Sequence, residues 1–292
     1  ATAEGLYMPF GPAAVERIAA NIQPGGVGDV VKSWPAPAAV EIAWGLGFDA
    51  TNVWLADPLP KNDYIITPEG VFTGTIFNTP WAGSWPGDMA YDSNRNLMWQ
   101  VNVGGDNGIY GLNPATGEVV TKITSGGAWT SVSQRGLGYD ADTDTFYIGG
   151  WNEDIIYHIM GPSWSTPGAV IAAYSFPVSI AGLEYHPDGV LWVSTNSAPD
   201  MIYGVDMESL AVIHQFQHPY RGDYSGAGLA LNDDGNLWVA SQTDNYVYLI
   251  DTEMPLSAGI VVQPTSGTVP TGQTADLAVT IKAAELGKPG QD

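Results

Sequence analysis

A unit of about 45 residues recurs five times along this chain, and nothing else in the sequence restricts the fold so strongly. Its head is a short first strand: Gly45-Leu46-Gly47-Phe48-Asp49, Asp88-Met89-Ala90-Tyr91-Asp92, Gly136-Leu137-Gly138-Tyr139-Asp140, Gly182-Leu183-Glu184-Tyr185-His186 and Gly228-Leu229-Ala230-Leu231-Asn232. The heads end 43, 48, 46 and 46 residues apart. A few residues after each comes an aromatic-centred strand, with Trp54, Trp99, Tyr147, Trp192 and Trp238 at its middle. Third strands such as Ile109-Tyr110 and Ile202-Tyr203 follow a polar loop, and fourth strands such as Val119-Val120 and Val212-Ile213 lead into the next unit. Four short strands at this period describe a propeller blade. The fold expected is therefore all-β, a five-bladed β-propeller with four-stranded blades. Small residues on first strands suit a crowded central channel, and the second-strand aromatics suit the packing between blades. Turns such as Pro187-Asp188-Gly189 and Asp233-Asp234-Gly235-Asn236 agree with this reading.

A ring has to join its ends or leave an unpaired strand edge. Val30-Val31-Lys32-Ser33-Trp34-Pro35 precedes the first unit and resembles the fourth strand around Val212, so residues 29–36 are expected to complete blade five. Gly259-Ile260-Val261-Val262 competes for the same place from the C-terminal side. The division that results is an N-terminal extension over 1–28, the propeller over 29–256, and a tail or linker over 257–292. Pro12–Ile22 reads as a short helix ended by Pro24-Gly25-Gly26, and the tail reads as two strands about a Pro/Gly turn.

The propeller and tail together resemble the propeller and Ig-like segments appended to large secreted bacterial proteins, including some subtilisin-like peptidases. Residues 100–110, 147–153 and 264–268 carry the resemblance, which spans roughly residues 29–281. It implies a secreted or cell-surface location and brings no catalytic residues. The tail would be only part of an Ig-like unit.

Charge narrows the partners. Acids outnumber bases 31 to 9, for a net charge of −22, a surface that repels nucleic acid and anionic lipid. It suits an extracellular, Ca²⁺-rich setting and neutral or cationic ligands. No apolar run reaches the roughly 18 residues of a membrane span. The absence of cysteine excludes disulfides, thiolate metal sites and a Cys nucleophile. The four histidines, His158, His186, His214 and His218, show no zinc-protease spacing, and no nucleophile elbow or glycine-rich nucleotide motif is present. No cofactor is expected.

Two groups of residues remain as site candidates. Glu41, Asp88 and Glu184 lie on or beside first strands and approach the axis, where paired carboxylates could act as in glycosidases. The loops of one face, those joining second to third strands and blade to blade, carry Trp81, Trp85, Trp129, Trp151, Arg135, Tyr220 and Arg221 among many Asp and Asn residues. Rings there can stack on a ligand while amides hydrogen-bond to it; the same acids and amides also suit turns. The function expected is a non-catalytic extracellular binding or assembly module. Its partner would be a glycan, a peptide, a cell-envelope component, or copies of itself joined through residues 259–292. The alternatives are a structural subunit of a filament or surface layer, and a glycosidase or lyase at the channel mouth.

Overall fold

A computed structural model of the chain describes residues 7–9, 26–256, 260–263 and 278–281. Two strands, β1 (Tyr7–Pro9) and β2 (Val30–Pro35), precede the first repeat. Blade one is β3 (Leu46–Phe48), β4 (Val53–Asp57), β5 (Asn62–Ile66) and β6 (Phe72–Asn78). Blade two is β7 (Trp85–Asp92), β8 (Leu97–Val103), β9 (Ile109–Leu112) and β10 (Val119–Ile123). Blade three is β11 (Gly136–Asp140), β12 (Thr145–Gly150), β13 (Ile155–Met160) and β14 (Val170–Ser175), with β1 added in parallel at its outer edge. Blade four is β15 (Ile180–His186), β16 (Val190–Thr195), β17 (Met201–Asp206) and β18 (Ala211–Gln217). Blade five takes three strands from the C-terminal side, β19 (Gly226–Leu231), β20 (Leu237–Ser241) and β21 (Tyr246–Ile250), and its fourth, β2, from the N-terminal side.

The N-terminal segment is thus the clasp. Strand β2 runs antiparallel to β21, with Val30 opposite Ile250 and Pro35 opposite Tyr246. Trp34 seals it, buried 5.8 Å from the Trp238 ring of its own blade and pressed against the Gly70 turn of blade one. Residues 260–263, the rival for this place, pair instead with 278–281 as β22 and β23. The helix expected over 12–22 lies outside the described residues, as does most of the tail.

Second-strand aromatics form the core, as their spacing predicts. Trp54, Trp99, Trp192, Trp238 and Tyr147 are all buried. The Asp that closes the repeat head has a matching task. Asp49 accepts Nε1–H of Trp54 and the turn N–H of Asn52, and Asp92 does the same for Trp99 and Arg95.

At the axis, four of the five heads begin with glycine because the inner strands meet there. A Cβ on Gly45 would strike the Gly87 carbonyl, one on Gly182 the Ala227 carbonyl, and one on Gly228 the Asp88 carboxylate. The fifth head begins with Asp88, whose side chain fills the centre. Its Oδ1 accepts backbone N–H from Leu46 at 3.1 Å and Leu229 at 3.2 Å; its Oδ2 accepts from Leu183 at 3.0 Å and Leu137 at 3.4 Å. One buried carboxylate therefore joins all four other blades. Burial pushes the Asp88 carboxyl well above the usual range, against the pull of these N–H donors. Glu184, one residue further along its own strand, is raised by burial and by the charge of Asp88.

Blades one and two share a second buried lock. Gln100 Nε2 donates to Asp63 Oδ1 at 2.8 Å, while Asp63 Oδ2 and Gln100 Oε1 have no hydrogen-bond partner among the described residues. Burial raises Asp63 to about 7, with the Gln100 amide opposing it. The folded value exceeds the roughly 3.9 of an unfolded Asp, so folding takes up a proton at this site. Its contribution is complete below about pH 4 and is lost as pH rises through 7. Thermal melts from pH 5 to 8 should show stability falling, and Asp63→Asn should flatten that fall. Parallel curves for parent and variant would assign the slope to other groups, the raised Asp88 and Glu184 carboxyls among them.

Candidate functional site

The upper face, bearing the loops between second and third strands and the connections between blades, holds the aromatic residues that the repeat does not require. Most of its Asp and Asn side chains are committed to structure. Asp57 accepts N–H from Glu41 and Ile42 at the entry to blade one, Asn245 accepts from Ala43 and donates to Val40 O, and Asp200 accepts from Ser225 and Gly226 at the entry to blade five. Asp106, Glu153 and Asp244 each accept the hydroxyl of the tyrosine four residues on. These carboxylates fasten the connectors into blades one and five and hold tyrosine hydroxyls in blades two, three and five, and that leaves the rings as the ligand candidates.

A cleft of about 390 Å³ opens on this face. Trp44, Trp85 and Trp151 form much of it, with Ile42, Pro58 and Leu59 adding apolar wall and Lys61, Ser84 and Gln242 the polar groups. Trp44 meets the other two edge-on, at 6.3 Å from Trp85 and 5.5 Å from Trp151. Between Trp85 and Trp151 lies the Arg135 guanidinium, 4.8 and 4.4 Å from the two ring centroids, in a double cation–π contact. Arg135 is 5% exposed, and burial lowers its pKa to about 10. Lys61 Nζ donates to the carbonyls of Ala82 and Gly83.

The cleft is tied to the axis through one lining residue, Trp44, and one residue behind the lining, Arg135. Trp44 and Arg135 stand immediately before Gly45 and Gly136, at the repeat position that Gly87, Ala181 and Ala227 occupy elsewhere. The carbonyl of Trp44 accepts Gly228 N–H, and that of Arg135 accepts the N–H of Asp88. Two large side chains are thereby planted where the other blades have almost none.

Three of the expected residues, Trp85, Trp151 and Arg135, come together. Trp44 was absent from the expectation, although a large ring at a Gly/Ala repeat position marks it. Trp129 does not join them: it is fully buried on a single 3-10 turn (Ala128–Thr130), its Nε1 donating to Gly168 O, and it is a core residue. Trp81 stacks on Tyr110 at 4.5 Å beside a separate cleft between blades one and two, lined also by Phe77 and Glu118. Tyr220 is half-buried and Arg221 exposed, and neither lines the Trp44 cleft. The carboxylates considered for acid–base work are also apart in role. Asp88 is closed inside the ring with both oxygens taken, Glu184 is buried beside it, and Glu41 is exposed at the rim. The histidines serve packing: His186 and His218 donate to Met254 O and Ala240 O, and His158 and His214 stack on Tyr147 and Trp192.

No family model matches the sequence, and no curated protein matches it either. Among solved structures, a glutaminyl cyclase from Myxococcus xanthus is similar, with a TM-score of 0.60 over 77% of this chain and 97% of that one, at 12% identity. At that identity the likeness speaks for the propeller fold and for nothing finer.

Trp129→Ala should cost on the order of 3–5 kcal/mol, as truncation of a fully buried ring does. Trp151→Ala, at the half-exposed cleft wall, should cost well under half of that. Denaturant melts of the two variants check the division, which fails if the two losses are equal.

Proposed function

We propose that this protein is a non-catalytic extracellular binding module whose upper-face cleft holds a sugar ring of a glycan. The observation that carries this reading is the composition of the cleft: three tryptophans converge with Ser84 and Gln242, and among the described residues no carboxylate or histidine lines it. Lys61 is the one titratable side chain in the lining among the described residues, and it is held by two carbonyls. Aromatic faces supply apolar contact with the C–H surface of a sugar, and the hydroxyl and amide supply hydrogen bonds to its rim. Its volume lies near the lower end of the ~300–1,000 Å³ usual for small-ligand sites, enough for one or two sugar units. The propeller fold is compatible with enzymes as well as binding proteins, so the site and not the fold supports the choice.

Tryptophan fluorescence titrated with a panel of neutral and acidic oligosaccharides tests it. A saturable change is expected, weakened about tenfold or more in Trp85→Ala and Trp151→Ala, with no release of reducing ends. A response confined to peptides would redirect the reading to peptide recognition. Turnover of any saccharide would replace it with an enzymatic one.

A further inference from the structure

Charge inside the cleft runs opposite to charge on the chain. The protein carries −22 overall, yet the groups nearest this cleft include two of its few bases, Lys61 in the wall and Arg135 behind Trp85 and Trp151. Arg135 is almost completely buried and has no acidic partner among the described residues. By contrast, Arg95 is held by Asp92 and Asp144, and Lys122 lies 4.0 Å from Asp106. Its one hydrogen bond among those residues runs from Nη1 to Gln134 O at 3.1 Å, and its Nε is buried with no partner. The acids closest in sequence to the cleft do not answer it. Asp57 points at the N–H groups of Glu41, Ile42 and Leu59, and Glu41 is exposed at the rim.

A buried guanidinium is normally paired, because removing a cation from water is costly unless an anion or several acceptors replace the water. Two indole faces supply part of that replacement. They leave the in-plane N–H groups other than the one given to Gln134 O without a partner among the described residues, and two such groups side by side are what grips a carboxylate with parallel hydrogen bonds.

We infer that the cleft is built for an acidic ligand: a ring-shaped saccharide bearing a carboxylate, of the uronic acid class, with the ring on the indoles that line the cleft and the carboxylate drawn in between Trp85 and Trp151 toward Arg135, which stands behind them. This rests on the glycan reading above and makes it narrower. Neutral and cationic ligands, which the overall charge favours, give way at this one place to an anion. Ser84 and Gln242 remain for the sugar hydroxyls, and Lys61 adds a second positive charge on the approach.

The probes are galacturonic and glucuronic acid oligomers, their methyl esters, and the matching neutral hexose oligomers, measured by calorimetry on the full chain. The acids should bind roughly tenfold or more tightly than esters and neutral sugars, since a charge-assisted bond is at stake. Raising the salt should weaken the acids alone. Arg135→Gln should remove the preference, and Arg135→Lys should keep part of it. The ester comparison on the parent protein needs no variant, so a misfolded Arg135→Gln leaves the test intact. Equal affinity for acid, ester and neutral sugar, with Trp85→Ala weakening all three, would overturn this inference while leaving the glycan reading in place. If no saccharide of any kind binds, both fall together.

Discussion

The carboxylate of Asp88 is the point on which the ring depends. Five inner strands that crowd one axis each turn backbone groups toward a space that has little room for side chains and is closed to water. Buried N–H groups without acceptors cost about 1–3 kcal/mol each. A single side chain placed there by blade two accepts from Leu46, Leu137, Leu183 and Leu229, one donor from each other blade. Glycine at the four equivalent positions leaves the room for it. Closure at the periphery is a separate matter, met by β2 and by Trp34 against Trp238.

The cleft inherits its geometry from this centre. Arg135 and Trp44 directly precede two axis glycines, and their carbonyls bond the backbones of Asp88 and Gly228. Residues in and behind the cleft wall that are fastened to the most buried part of the molecule are held still, which is what a stacking site needs. Because only two of five blades carry large residues at this position, the cleft is lopsided, lying toward blades one to three with Gln242 reaching in from blade five. That departure from five-fold similarity separates a site from a plain ring.

Much of the architecture was legible in the residues. The period, the clasp and the buried second-strand aromatics follow from pattern, because each blade repeats one solution to the same packing problem. Asp88 stood out as the substitute for a repeat glycine, yet its task did not, since its partners are backbone N–H groups that every sequence contains. Loop position alone suggested a ligand face and so gathered Trp129 with Trp85, although a 3-10 turn carries Trp129 into the core. Trp44 sits at the start of a repeat head and was hidden by it; comparison with Gly87, Ala181 and Ala227 at the same position is the signal that finds it. That Arg135 has no acidic partner among the described residues is a fact of three-dimensional arrangement, and no spacing in the chain expresses it.

Hydrogen exchange at the axis tests the account of the centre most directly. The amides of Leu46, Leu137, Leu183 and Leu229 should exchange only on global unfolding, at one common free energy and among the slowest in the protein. In Asp88→Ala all four should become faster together, while the second-strand amides of Trp54 and Trp192 change only as much as overall stability does. Four axis amides that exchange independently, or that keep their protection without the carboxylate, would contradict the claim that Asp88 holds the blades to one another.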